Sequence, residues 1–132
     1  MSYEQAPYYT LDEMLQWIPE PNGPACRQLY QDNYERFHAA PGSSHNHQAW
    51  PGGYIDHVTD AMNIGVRVYE TFHDLRPLPF LLTSVMTVVY LHDLEKPFCY
   101  NADPETGKIT FDESFRDKSR REEFKQDLIA RS

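Results

Sequence analysis

The sequence predicts an all-α bundle of about five helices, with a small hairpin or loop after the helix that carries a His-Asp pair. Three observations lead to that expectation. Apolar side chains recur at the i, i+3, i+4, i+7 spacing that lines one helix face, as in Leu11, Met14, Leu15 and Ile18. The periodic stretches are separated by clusters of proline, glycine and asparagine, which stop helices. Only residues 98–111 break the pattern, with two short aromatic or β-branched runs around Asn101-Ala102-Asp103-Pro104-Glu105-Thr106-Gly107. A chain of 132 residues can bury one core but not two, so residues 1–132 are expected to form a single domain.

Residues 1–9 show no periodicity and read as an extended arm. Thr10 then caps a helix over residues 11–18, with Asp12 and Glu13 in the first turn, where the helix dipole favours acids. Pro19, Pro21 and Asn22-Gly23 stop it. A second helix is expected over residues 24–40, with Pro24 in its first turn and Cys26, Leu29, Tyr30, Asn33 and Phe37 on one face. Pro41-Gly42-Ser43-Ser44 ends it. Residues 45–53 hold two histidines, Trp50, Pro51 and two glycines, too broken for a helix and of a kind that carries function.

The third helix is expected over residues 54–73, with Ile55, Val58, Met62, Val66, Tyr69 and Phe72 in its stripe. Arg76-Pro77-Leu78-Pro79 separates it from the fourth, over residues 80–95. A fifth, heavily charged helix is expected over residues 113–131, with Phe115, Phe124, Leu128 and Ile129 as its thin apolar side.

Composition excludes several classes. No apolar run is long enough to cross a membrane, and the first residues have neither the basic nor the apolar region of a signal peptide. Two cysteines, Cys26 and Cys99, without a Cys-x-x-Cys pair point to a reduced, cytoplasmic setting. A net charge of -8 disfavours a long nucleic acid as partner, because phosphate binding calls for a basic face. The cations of residues 116–125 are interleaved with acids. A small anionic substrate fits this balance better, and a homo-oligomer stays open.

The chemistry concentrates at the end of the fourth helix. Seven mostly apolar residues, Val85 to Leu91, run straight into His92-Asp93 and then Lys96-Pro97. A carboxylate beside a core needs a cation or a metal, and an acid in a helix's last turn stands at the wrong end of the dipole. Read structurally, His92 would be a core histidine and Asp93 a solvated acid. Read chemically, imidazole and carboxylate together suit Mn, Fe, Ni, Zn or Mg. Two ligands alone hold no ion, so another helix must contribute. His57 is the candidate, because Gly52 and Gly53 let the preceding backbone come close. Lys96 shares a helix face with His92 and Asp93 and can meet a phosphate as a point charge, or simply cap the helix dipole. His47 is a further ligand, a proton donor to a leaving group, or an exposed loop histidine. His73-Asp74 spells the same pair but ends a helix before Leu75-Arg76-Pro77, with no lysine after it, and reads as structural.

Gly-Gly-Tyr-Ile-Asp-His-Val (residues 52–58) and Leu-His-Asp-Leu-Glu-Lys (residues 91–96), preceded by His45-Asn46-His47, resemble the HD-domain metal-dependent phosphohydrolase superfamily over roughly residues 44–96. Within it they look most like the branch containing certain exoribonucleases and relaxase-associated HD domains. The resemblance implies an HD-like helical bundle that holds one or two divalent metal ions through His57, His92 and Asp93. It implies hydrolysis of a phosphate ester or anhydride in a nucleotide-like substrate, with Lys96 at the phosphate. It also implies a distant fourth ligand, for which Asp127 is the candidate among Asp103, Asp112, Asp117 and Asp127; otherwise the site is completed differently or the domain is truncated at its C-terminus. Position 95 departs from the common His-Asp-x-Gly-Lys form, since Glu stands where glycine would. If that turn needs a positive φ, Glu95 would strain it. Two other functions share the pattern: a di-iron oxygenase, and a degenerate, non-catalytic interaction module.

Overall fold

The computed structural model describes residues 7–42, 49–103, 105, 106, 108–111, 126, 129 and 130. Its first helix, α1 (Leu11–Trp17), starts as expected, with Thr10 Oγ1 accepting the Glu13 N–H at 3.2 Å. At its other end Arg27 Nη1 donates to Leu15 O at 2.9 Å and to Ile18 O at 3.4 Å, a cation satisfying the last carbonyls.

The stretch expected as one helix over residues 24–40 is two: α2 (Asn22–Asp32) and α3 (Tyr34–Ala39). The break falls at Asn33, whose φ of -120° and ψ of 21° leave the helical region. Its Nδ2 donates to Leu29 O at 2.9 Å, offering that carbonyl a side-chain partner in place of the backbone ladder. At the start of α2 only glycine fits position 23, since a Cβ there would lie 1.9 Å from Ile18 O.

The longest element is α4 (Gly53–Leu75), and the bundle forms around it, with α1, α3 and α5 (Leu82–Leu91) in contact. Gly52 precedes it at φ 84°, a left-handed conformation that a side chain would strain. Tyr54, Val58, Met62 and Val66 face inward and meet Met14, Leu15, Phe37, Met86 and Tyr90 in one core. Asn63 is buried there too and is fully used. Its Oδ1 accepts the Tyr9 N–H at 2.8 Å, and its Nδ2 donates to Tyr9 O and Thr59 O. Tyr8 and Tyr9, at the end of the expected arm, are thereby fastened to α4, with Tyr8 Oη donating to Asp60 Oδ1, whereas residues 1–6 lie outside the described residues. Past Val66 the expected stripe departs from the observed burial, since Phe72 is exposed.

The fourth expected helix begins and ends inside its sequence range. Leu81 is extended, so α5 starts at Leu82, and regular α-helix stops at Leu91 rather than at residue 95. A turn over His92–Glu95 leads into the short α6 (Lys96–Cys99) and then the hairpin of β1 (Tyr100–Ala102) and β2 (Ile109–Phe111). The strands run antiparallel with Tyr100 opposite Phe111, and Asp103 Oδ1 accepts the Glu105 and Thr106 N–H groups in the connection. The architecture is thus all-α with a small hairpin after the His-Asp segment. The fifth expected helix lies outside the described residues, apart from residues 126, 129 and 130, which are helical. Among the described residues no helix is long and apolar enough to cross a membrane.

Candidate metal centre

The turn after α5 sets the site. Its backbone bonds run from residue i+3 to residue i: His92 N to Val89 O, Leu94 N to Leu91 O, and Lys96 N to Asp93 O. That ladder is tighter than an α-helix, and at about three residues per turn side chains three apart come into register. Asp93 and Lys96 therefore point the same way, and Lys96 Nζ lies 3.4 Å from Asp93 Oδ2. Glu95 has φ -68° and ψ -25°, ordinary right-handed values. The glycine of the common motif is not needed here, and Glu95 carries no backbone strain.

From α4, His57 reaches across to the same carboxylate, its Nε2 3.0 Å from Asp93 Oδ2. His92 Nε2 is also 3.0 Å from that oxygen. His57 is on the first full turn of α4, at the edge of a face that Tyr54 and Val58 bury. The site therefore sits at the rim of the core, with side-chain exposures of 26% for His57, 19% for Asp93 and 41% for His92.

The other nitrogen of His92 fixes its tautomer. Nδ1 meets Val89 O, a carbonyl that can only accept, so Nδ1 carries the hydrogen. In the neutral ring Nε2 then holds a lone pair directed at an anionic oxygen. That arrangement is unfavourable unless a proton or a cation lies between them. An outer hydrogen bond to a backbone carbonyl is also what holds metal-ligating histidines in place.

The donor set fits a divalent ion. One ligand atom from each of His57, His92 and Asp93 can be chosen so that all lie within 4.8 Å of one another. Adjacent ligands of an octahedral ion at about 2.1 Å stand about 3.0 Å apart, which matches both histidine-to-carboxylate distances. The His57-His92-Asp93 group could therefore hold a metal, and three protein ligands leave positions open for water and substrate.

His57, His92, Asp93 and Lys96 thus come together, whereas His47 and Asp127 lie outside the described residues. His73 is elsewhere, accepting the Leu78 N–H on Nδ1 at 3.0 Å and stacking on Tyr69. Two neighbours carried no expectation in the sequence. Trp50 Nε1 donates to Asp56 Oδ2 at 2.9 Å, tying the loop before α4 to the residue next to His57. Tyr54 lies one turn before His57, and its hydroxyl is buried. Its position at the same helical phase as His57 was the available signal. No protein-family model, curated protein or solved structure matches the chain, so the role of the site rests on its own geometry.

Proposed function

We propose that the protein is a divalent-metal-dependent phosphohydrolase of the HD-domain kind, acting on a phosphate ester or anhydride in a small, nucleotide-like substrate. The observation that supports this reading is the convergence of His57, His92 and Lys96 on one oxygen of Asp93. His57, His92 and Asp93 hold one or two ions, and imidazole with carboxylate suits Mn, Fe, Ni, Zn or Mg. The bound metal supplies a polarised phosphoryl oxygen and a water of near-neutral pKa. Lys96 stands where it can neutralise charge gathering on the phosphoryl oxygens. His47, as a further ligand or proton donor, and Asp127, as a fourth ligand, belong to the same reading, as does a cytoplasmic setting.

The test is metal analysis of the purified full chain, followed by hydrolysis of bis(p-nitrophenyl) phosphate and a panel of nucleotides. Turnover should require Mn²⁺ or another divalent ion and vanish with chelator and with His57→Ala. Metal-loaded protein that hydrolyses none of these substrates sinks the reading.

A second reading draws on the donor set alone. Two histidines and one carboxylate with open positions also make the ligand triad of non-haem iron oxygenases. The cation of Lys96 beside the carboxylate favours phosphoryl chemistry. Oxygen uptake by iron-loaded protein, without phosphatase turnover, would favour the oxygenase.

A further inference from the structure

Tyr54 is 1% exposed, and among the described residues its Oη is the buried side-chain polar atom that has no hydrogen-bond partner. The other buried tyrosines of the core have partners. Tyr90 Oη donates to Cys26 O at 3.0 Å, and Tyr30 Oη meets His38 Nε2. A phenylalanine would fill the same space at Tyr54 without leaving a polar atom unsatisfied, so the hydroxyl calls for a function.

Its surroundings point to the metal group. Tyr54 is one helical turn before His57, and its ring packs edge-on against Phe37 at 5.4 Å. Phe37 in turn packs edge-on against Phe98, two residues beyond Lys96. Through Phe37 the Tyr54 ring is thus linked to the segment that follows Lys96. Burial raises its pKa, and the carboxylates of Asp93 and then Glu95 raise it further, as nearby negative charges do.

We propose that Tyr54 is a positioning residue of the metal group, its hydroxyl donating to the Asp93 carboxylate in the metal-loaded protein. This rests on the metal-binding reading above. Asp93 Oδ2 is shared among His57, His92 and Lys96. A cation taking that oxygen leaves the carboxylate's orientation to be fixed by an outer donor, and such donors are worth about 10–100-fold in metal affinity.

The experiment compares Mn²⁺ binding by calorimetry in wild type, Tyr54→Phe and the similarly sized Tyr54→Met, together with thermal melting of each metal-free protein. Metal-free Tyr54→Phe should melt no lower than wild type, because the hydroxyl has no hydrogen-bond partner within the fold to lose. Its Mn²⁺ dissociation constant should rise about 10–100-fold, as should that of Tyr54→Met. A Tyr54→Phe dissociation constant within about twofold of wild type overturns the proposal, whatever Tyr54→Met does. So does a Tyr54→Phe protein that fails to fold without metal, since the hydroxyl would then serve the fold. Wild-type protein that binds none of Mn²⁺, Fe²⁺, Ni²⁺, Zn²⁺ and Mg²⁺ overturns the metal reading itself, an outcome distinct from equal binding by wild type and variants.

Discussion

His57 Nε2 and His92 Nε2 stand at the same distance, 3.0 Å, from a single oxygen of Asp93, although they belong to different elements. His57 can donate an Nε2–H to that oxygen, but His92, with its hydrogen on Nδ1, offers it only a lone pair, and one cation would satisfy all three groups. Each is therefore predicted to be necessary for metal retention. His57→Ala, His92→Ala and Asp93→Ala should each lower Mn²⁺ affinity by more than the roughly 10–100-fold that an outer-shell loss costs. All three side chains lie at the rim of the core, so circular dichroism should show the fold intact. Equal metal occupancy in wild type and all three variants would rule out the assignment.

The second His-Asp dipeptide supplies the control. His73 is committed to the chain turn after α4, accepting the Leu78 N–H and stacking on Tyr69 at a ring-centroid distance of 5.2 Å. His73→Ala should leave Mn²⁺ affinity unchanged and cost at most about 1 kcal/mol of stability, the worth of one exposed hydrogen bond. A metal loss as large as that of His57→Ala would show that the wrong pair had been chosen.

Much of this arrangement was legible in the sequence because it depends on local patterns. The cap at Thr10, the apolar stripe of α4 up to Val66, and the turn cluster before Ile109 all follow from residue type and spacing. What stayed hidden depends on competition or on distance. The break at Asn33 arises because a side-chain amide takes the Leu29 carbonyl, and helical periodicity is blind to that exchange. The end of α5 at Leu91 reflects a switch to a tighter turn whose apolar pattern looks the same as an α-helix. For the site, the pairing of His57 with His92-Asp93 was readable. The burial of the Tyr54 hydroxyl was not, since it depends on Phe37 arriving from another helix.

Acid sensitivity is predicted to reside partly at His38. Its ring lies against Tyr34 at 4.1 Å between centroids, and its Nε2 meets Tyr30 Oη. The side chain is exposed overall, but partial desolvation of the ring draws its pKa below the usual imidazole value, while Asp12 and then Asp56 pull the other way. In the unfolded chain the ring titrates at about 6.5. On acidification the unfolded state therefore takes the proton first, and stability falls. The contribution is complete above about pH 6.5 and is lost as pH drops through that value toward the lower folded one. His38→Gln, which keeps an acceptor for Tyr30, should show a shallower fall in melting temperature between about pH 7 and pH 5. Parallel curves for the two proteins would refute this role.

Lys96 separates binding of the metal from chemistry on the substrate. Its Nζ is 3.4 Å from Asp93 Oδ2, and its side chain is 25% exposed, so solvent screens the pair and the attraction stabilises the fold only modestly. A metal ion approaching Asp93 would meet the lysine as a like charge, so Lys96 does not help to hold the ion. Lys96→Met keeps the length of the side chain and removes the charge. Mn²⁺ affinity should then stay level or rise slightly, because a competing cation has gone. If the site transfers phosphoryl groups, kcat should fall by about 10²–10³, the usual cost of losing one donor to a developing oxyanion. Measuring Mn²⁺ affinity and phosphodiester turnover on the same preparation distinguishes the cases. Loss of turnover with metal retained assigns Lys96 to the substrate, whereas loss of both would make it a structural partner of Asp93.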